Sequence, residues 1–169
     1  YIKMLGDYVE KNVQRLIEEA LKDTNISVKN EQGGQDLILS KDGFEPYHIE
    51  IKSRWINKEQ AIMSALQFQT AVEHPMRYSL ISAQMWDFDK KRVENEECLK
   101  IEEMEQLLKV CDDIGLLETD LKKRVDAAFE GGEEDIRING SYDVRVPQKV
   151  FKLNFAELIS LIKERFRLI

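Results

Sequence analysis

The chain has the pattern of one mixed α/β domain, with helices packed on a sheet that holds antiparallel and parallel strands. Three observations predict this. A helical hydrophobic period opens the chain, with Val9, Val13, Leu16, Ile17, Ala20 and Leu21 on one stripe. Two stretches with strand alternation follow, Asp36-Leu37-Ile38-Leu39 and Tyr47 to Ser53, joined by the turn Lys41-Asp42-Gly43. A second helical stretch then leads to a strand-like run from Tyr78 to Trp86, which is the length of crossover that a parallel strand pair needs.

The first helix is expected over residues 6–22, with Asp7 and Glu10 resembling a capping box. Ile26 to Lys29 predicts a short strand, and Glu31-Gln32-Gly33-Gly34 a turn into the Asp36 strand, so that three strands form a meander. Asn57 with Gln60 looks like a capping pair for a helix running to about Glu73, with Ile62, Ala65, Leu66 and Val72 toward the core. Tyr78 to Trp86 is expected beside the Glu50 strand and parallel to it. Ile101, Met104, Leu108 and Cys111 space a short helix, and Leu121, Val125, Ala128 and Phe129 space another. Glu130-Gly131-Gly132-Glu133 is expected as an acidic loop. Ile136-Arg137-Ile138, Asn139-Gly140 and Tyr142 to Val146 predict a hairpin, because Asn-Gly suits a type I′ turn. Asn154 with Glu157 caps a last helix whose Phe155, Leu158, Ile159, Ile162 and Phe166 are core-like.

At 169 residues there is one domain's worth of chain, with a core at residues 1–90 and added C-terminal helices, hairpin and last helix at 95–169. No apolar run approaches the ~20 residues of a membrane span, and nothing has the pattern of a signal peptide. The first residue is Tyr1 rather than Met, so a larger protein with further domains is expected. Cys98 and Cys111 form neither a metal-ligand spacing nor a disulfide framework, which fits a reducing cytoplasm. A Walker-type phosphate loop is absent, so any ATPase would lie elsewhere in that larger protein.

Chemistry concentrates on the two strands of the meander. Side chains alternate across a strand, so His48, Glu50 and Lys52 share one face and Tyr47, Ile49 and Ile51 the other, while Asp36 faces away from Leu37 and Leu39. Neighbouring strands can therefore gather Asp36, Glu50 and Lys52. Acid-x-Lys also occurs at Asp89-Lys90-Lys91 and Asp120-Leu121-Lys122, but only the copy at Glu50 is threaded with Ile at alternate positions and preceded by a strand bearing an acid. Two carboxylates beside an ammonium suit magnesium-dependent hydrolysis of a phosphodiester. Asp36, Glu50 and the Ile51 carbonyl would offer the hard oxygen ligands that Mg²⁺ (or Mn²⁺) prefers, and Lys52 would stabilise charge on the attacking oxygen and the phosphorus. A simpler alternative makes Glu50 and Lys52 an i,i+2 pair on a solvated strand face.

An acid on the first helix, then Asp36, then Glu50-Ile51-Lys52 on consecutive strands resembles the PD-(D/E)XK nucleases of restriction-endonuclease-like fold. The Pro of that pattern is missing, with Gln35 in its place before Asp36. Met63 to Ala71 followed by Arg77-Tyr78-Ser79-Leu80 is also similar to the NO VEIN C-terminal domain, a domain of unknown function, although Gln67 and Phe68 stand where that pattern has Glu and Trp. The likeness covers roughly residues 5 to 90. It implies a core of helix, three-strand meander, helix and strand, a metal-dependent endonuclease, and company with ATPase or helicase modules. It also implies roles for Glu10 on the first helix, at the metal, and for Gln67, toward the metal's water shell or a phosphate. A capping role for Glu10 and a plain polar position for Gln67 explain those residues equally.

Net charge of −7 opposes binding to a polyanion, since affinity for DNA comes largely from phosphate neutralisation. Much of the acid lies at Glu94 to Glu105 and Glu130 to Asp135, however, while Lys29, Arg54, Lys58 and Arg77 offer a cationic rim near the site, with His48 a further phosphate contact. His74, beside Pro75, is expected at a helix end. DNA would then bind through the whole protein, and double-strand cutting would need a homodimer or a partner. A silent nuclease-fold module that docks nucleic acid or protein is the alternative, and an interaction domain of unrelated fold a third.

Overall fold

The computed structural model describes residues 1–31, 37–117, 123 and 143–168. Five strands, β1 (Ser27–Asn30), β2 (Leu37–Ser40), β3 (Tyr47–Arg54), β5 (Tyr78–Gln84) and β6 (Leu108–Cys111), form one sheet in the order β1-β2-β3-β5-β6. β1, β2 and β3 are the expected antiparallel meander. Gly43, at φ 85°, makes the turn between β2 and β3 in a backbone region that favours glycine. β5 runs parallel to β3, and β6 closes the far edge antiparallel to β5. A separate antiparallel pair joins β4 (Ala61–Ser64) to β7 (Asp143–Val146).

Alternation gives the sheet two apolar faces, and each is covered. On one, Leu37, Leu39, Tyr47, Ile49, Ile51, Ile81, Ala83, Leu108 and Val110 pack with α1 (Ile2–Ala20) and α5 (Phe155–Arg165). On the other, Tyr78, Leu80 and Cys111 pack with Ala61, Met63 and Val146 of the small sheet and Ala71 of α2 (Ala65–Glu73). β5 is buried from Tyr78 to Ala83 because it has a layer on both sides. α3 (Lys90–Glu94) and α4 (Ile101–Leu107) lie between β5 and β6 in the chain. Among the described residues no helix is long and apolar enough to cross a membrane.

α1 buries the expected stripe with Leu5, Tyr8 and Asn12 added, except that Ala20 is only half-buried. It starts at Ile2, four residues early, so Asp7 and Glu10 lie inside the helix and form no capping box; Asp7 instead pairs with Lys3 one turn back at 2.8 Å. Residues 57–64 are not helix. Asn57 lies in the turn after β3 and Ala61 to Ser64 is a strand with Ala61 and Met63 inward, which leaves Ile62 and Leu66, expected in the core, exposed. The helix starts only at Ala65, where Ser64 and Gln67 form its capping box. Leu108 and Cys111 continue the helical spacing of Ile101 and Met104 but belong to β6, since the open edge of β5 takes up their backbone groups. The helix expected at Leu121 to Phe129, the acidic loop from Glu130 and the first arm and turn of the hairpin lie outside the described residues. Its second arm is β7, which pairs with β4.

α5 follows the sequence closely. Asn154 Oδ1 accepts from the Glu157 N–H at 2.9 Å, and Glu157 Oε1 accepts from the Asn154 N–H at 3.1 Å. Asn154→Ala is expected to lower stability by about 1 kcal/mol, read as a shift of the urea midpoint with an unchanged slope. An unmoved midpoint would show that packing alone starts this helix.

Both cysteines are free thiols, Cys98 exposed and Cys111 buried. Burial pushes the Cys111 thiol up to about 12, so it holds its proton at neutral pH. A thiol-specific disulfide reagent at pH 8 should therefore label one thiol per native chain quickly and the second only on unfolding. Two fast equivalents would place Cys111 at the surface.

Candidate functional site

β3 puts His48, Glu50, Lys52 and Arg54 in one row on the face that α2 and the small sheet cover. Cross-strand partners share a face, so Ile38 and Lys29 lie on the same side across the His48 rung. Glu50 is 2% exposed. A buried carboxylate is costly without donors around it, and two are in place. Gln67 Nε2 donates to Glu50 Oε1 at 2.8 Å, and Lys52 Nζ lies 3.3 Å from the same oxygen.

The capping box sets the direction of the Gln67 amide. Its Oε1 accepts the Ser64 N–H at 2.8 Å while its own N–H donates to Ser64 Oγ at 3.1 Å. With the oxygen committed to the helix start, the NH₂ group is left to face Glu50. One residue thus caps α2 and ties that helix to the central strand. Lys52 is partly exposed, with its ammonium held by Glu50 at the mouth of the row.

The other expected residues fall into several places. Asp36 lies outside the described residues. It directly precedes Leu37, which pairs with Ile49, the neighbour of Glu50. Glu10 is half-buried at the border of the stripe that α1 packs on the sheet. His48 is half-buried, its ring 5.0 Å from that of His74 and 6.2 Å from that of Tyr78. Burial, then the nearby His74, holds its pKa below the ordinary value, so His48 is a neutral ring in a stack more than a cation for phosphate. His74 is the expected helix end, the C-cap of α2.

The cationic rim differs from expectation. Arg77 donates to the carbonyls of Glu45 at 2.8 Å and Arg165 at 2.6 Å, and its guanidinium lies over Phe166 at 5.0 Å, so it staples α5 to the start of β3 and β5. Lys58 is exposed in the turn after β3, with a left-handed φ of 68°. Arg54 is not a surface residue at all. It is 1% exposed, and among the described residues Nε, Nη1 and Nη2 have no hydrogen-bond partner. Burial pulls its pKa below the ordinary value, but a guanidinium stays charged in proteins. The even numbering of the row was the sequence signal for its face; its burial depends on layers that alternation does not foretell.

Magnesium or manganese would need hard oxygen donors here. Among the described residues no group of three or more His, Cys, Asp or Glu side chains is placed to hold a metal ion. Of the expected ligands, the Glu50 carboxylate is buried beside Lys52, Ile51 adjoins it on β3, and Asp36 lies outside the described residues. Comparison with protein-family models, with curated proteins and with solved structures returns no match to this chain.

Proposed function

We propose that this domain hydrolyses phosphodiester bonds of DNA with Mg²⁺ or Mn²⁺, in the manner of the PD-(D/E)XK nucleases. The observation that carries the reading is the buried Glu50 carboxylate, held by Lys52 and Gln67 on one face of a central strand. A salt bridge on a solvated face would leave Glu50 in water, and a purely structural pair would not need an ammonium reaching the surface beside a buried acid. The order of elements supports it too. α1, the meander β1-β2-β3, α2 and the parallel β5 follow the order that the resemblance implies, with β4 as an insertion.

The bound ion would lower the pKa of a water and polarise the phosphate. The chain's own groups do the rest. Lys52 places a positive charge beside the carboxylate, where the phosphate oxygens gain charge as the bond breaks. Gln67 keeps Glu50 oriented, with its carboxamide locked by the Ser64 backbone. The covering layer of α2 and the small sheet excludes water from one side, which strengthens each of these interactions.

The test is cleavage of supercoiled, linear and single-stranded DNA with Mg²⁺, with Mn²⁺ and with chelator. Cutting that requires the ion supports the reading. Intact DNA at high protein and low salt would instead leave a nuclease-fold module that docks nucleic acid or protein.

A further inference from the structure

Arg54 is a buried charge that the nuclease chemistry does not use. We propose that Arg54, with the hydroxyl of Ser82, is a receptor for a backbone phosphate of the nucleic-acid strand, next to the phosphate that Glu50 and Lys52 address. The inference rests on the nuclease reading and adds to it a specific contact with the substrate backbone.

Four observations carry it. All three guanidinium nitrogens of Arg54 lack a hydrogen-bond partner among the described residues, although the side chain is 1% exposed. Such a fork presents five donors in a plane that matches two phosphate oxygens. Ser82 Oγ is also buried without a partner among the described residues. Its register partner is Lys52 and that of Arg54 is Gln84, so in this parallel pair Ser82 shares the face of Arg54, one step along the neighbouring strand. The row therefore runs from an acid, through a cation at its mouth, to a second cation and a hydroxyl that both await an acceptor. An anion such as a phosphate answers all of these donors at once and also compensates the buried charge.

A phosphate would reach Arg54 by displacement of the connection that follows it in the chain, residues 55–60. Ile56, Asn57, Lys58 and Glu59 are exposed there, Lys58 is left-handed, and the turn closes on the Glu59 N–H to Ile56 carbonyl bond of 3.1 Å. Among the described residues Glu59 is the carboxylate that opposes the effect of burial on Arg54, and that displacement would exchange it for a phosphate.

The experiment measures anisotropy of a fluorescent single-stranded oligonucleotide with the whole chain in chelator, across a range of salt, for wild type, Arg54→Met and Arg54→Lys. Arg54→Met should weaken binding at least tenfold and reduce the slope of log K against log salt by about 0.7, the value for one phosphate contact on a single strand. Arg54→Lys should keep the slope and lose part of the affinity, since an ammonium cannot make the bidentate contact. Arg54→Met should melt at or above the wild-type temperature, because an unpartnered charge gives way to an apolar chain of similar reach. Affinity and slope equal to wild type in Arg54→Met would overturn the inference. If that variant does not fold, wild type and Arg54→Lys are melted in pyrophosphate and in chloride of equal ionic strength; a larger rise for wild type than for the lysine variant supports the site, and equal behaviour removes it. Failure of the two readings is distinguishable. Arg54-dependent binding without metal-dependent cutting defeats the nuclease alone, and cutting with unchanged binding in Arg54→Met defeats the receptor alone.

Discussion

Lys52→Ala is expected to slow metal-dependent cleavage by about 10²–10³-fold, the usual effect of deleting one preorganised charge at a reacting centre, while metal binding persists. Glu50→Ala should remove both. The two effects differ because the groups differ in place. Lys52 is partly exposed and pairs with Glu50 Oε1 at 3.3 Å, whereas Glu50, the expected metal ligand, is buried. Glu50→Ala also breaks the bond from Gln67 Nε2 to the carboxylate, while the Gln67 oxygen stays committed to the Ser64 N–H. That costs about 1–3 kcal/mol of stability, enough to confuse a loss of fold with a loss of chemistry. Glu50→Gln separates them. It keeps an acceptor for Gln67 and nearly the same shape, but offers a metal no charge. The three variants are compared for cleavage with Mn²⁺, for Mn²⁺ binding by titration calorimetry, and for thermal midpoint. Cleavage that survives in Lys52→Ala and Glu50→Gln alike would place the chemistry elsewhere.

The meander, the parallel pairing of β3 with β5 and the cap of α5 were legible in the sequence because each depends on local signals: alternation, turn residues and a capping pair. Two elements were not, and for the same reason. Residues 61–64 and 108–111 each adjoin a real helix and continue its hydrophobic spacing, so periodicity extends the helix across them. What makes them strands is a partner distant in the chain: β7 for β4, and the open edge of β5 for β6. The shared face of Glu50 and Lys52 followed from alternation alone. The burial of Glu50 and Arg54 did not, because it depends on α2 and the small sheet lying over that face. Gln67 falls between these cases. Ser64 and Gln67 stand at the same spacing as Asn57 and Gln60, but only the first pair starts the helix, and the second lies in the turn after β3 and the residues that follow it.

Gly115→Ala should be the most damaging small substitution in the described structure, and it should reach the site without touching it. Gly115 lies in a 3₁₀ turn, Ile114–Leu116, that packs on α2. A Cβ at this position would overlap the Ala71 carbonyl oxygen and come within 3.0 Å of the Val72 nitrogen. Both are helix backbone, so neither can swing aside as a flexible side chain would. Overpacking of this kind costs about 2–3 kcal/mol, and relief requires α2 to move away from the turn. α2 carries Gln67, whose bond to Glu50 is 2.8 Å and whose direction is set by the start of the helix. A shift near 1 Å in a positioning group can cost roughly 10²-fold in rate. Asn154→Ala supplies the control, because α5 packs on the opposite face of the sheet. Well below the melting temperature of either variant, cleavage by Asn154→Ala should match wild type and cleavage by Gly115→Ala should fall by an order of magnitude or more. Equal loss in both would tie activity to global stability; loss in Gly115→Ala alone makes the seat of α2 part of the site.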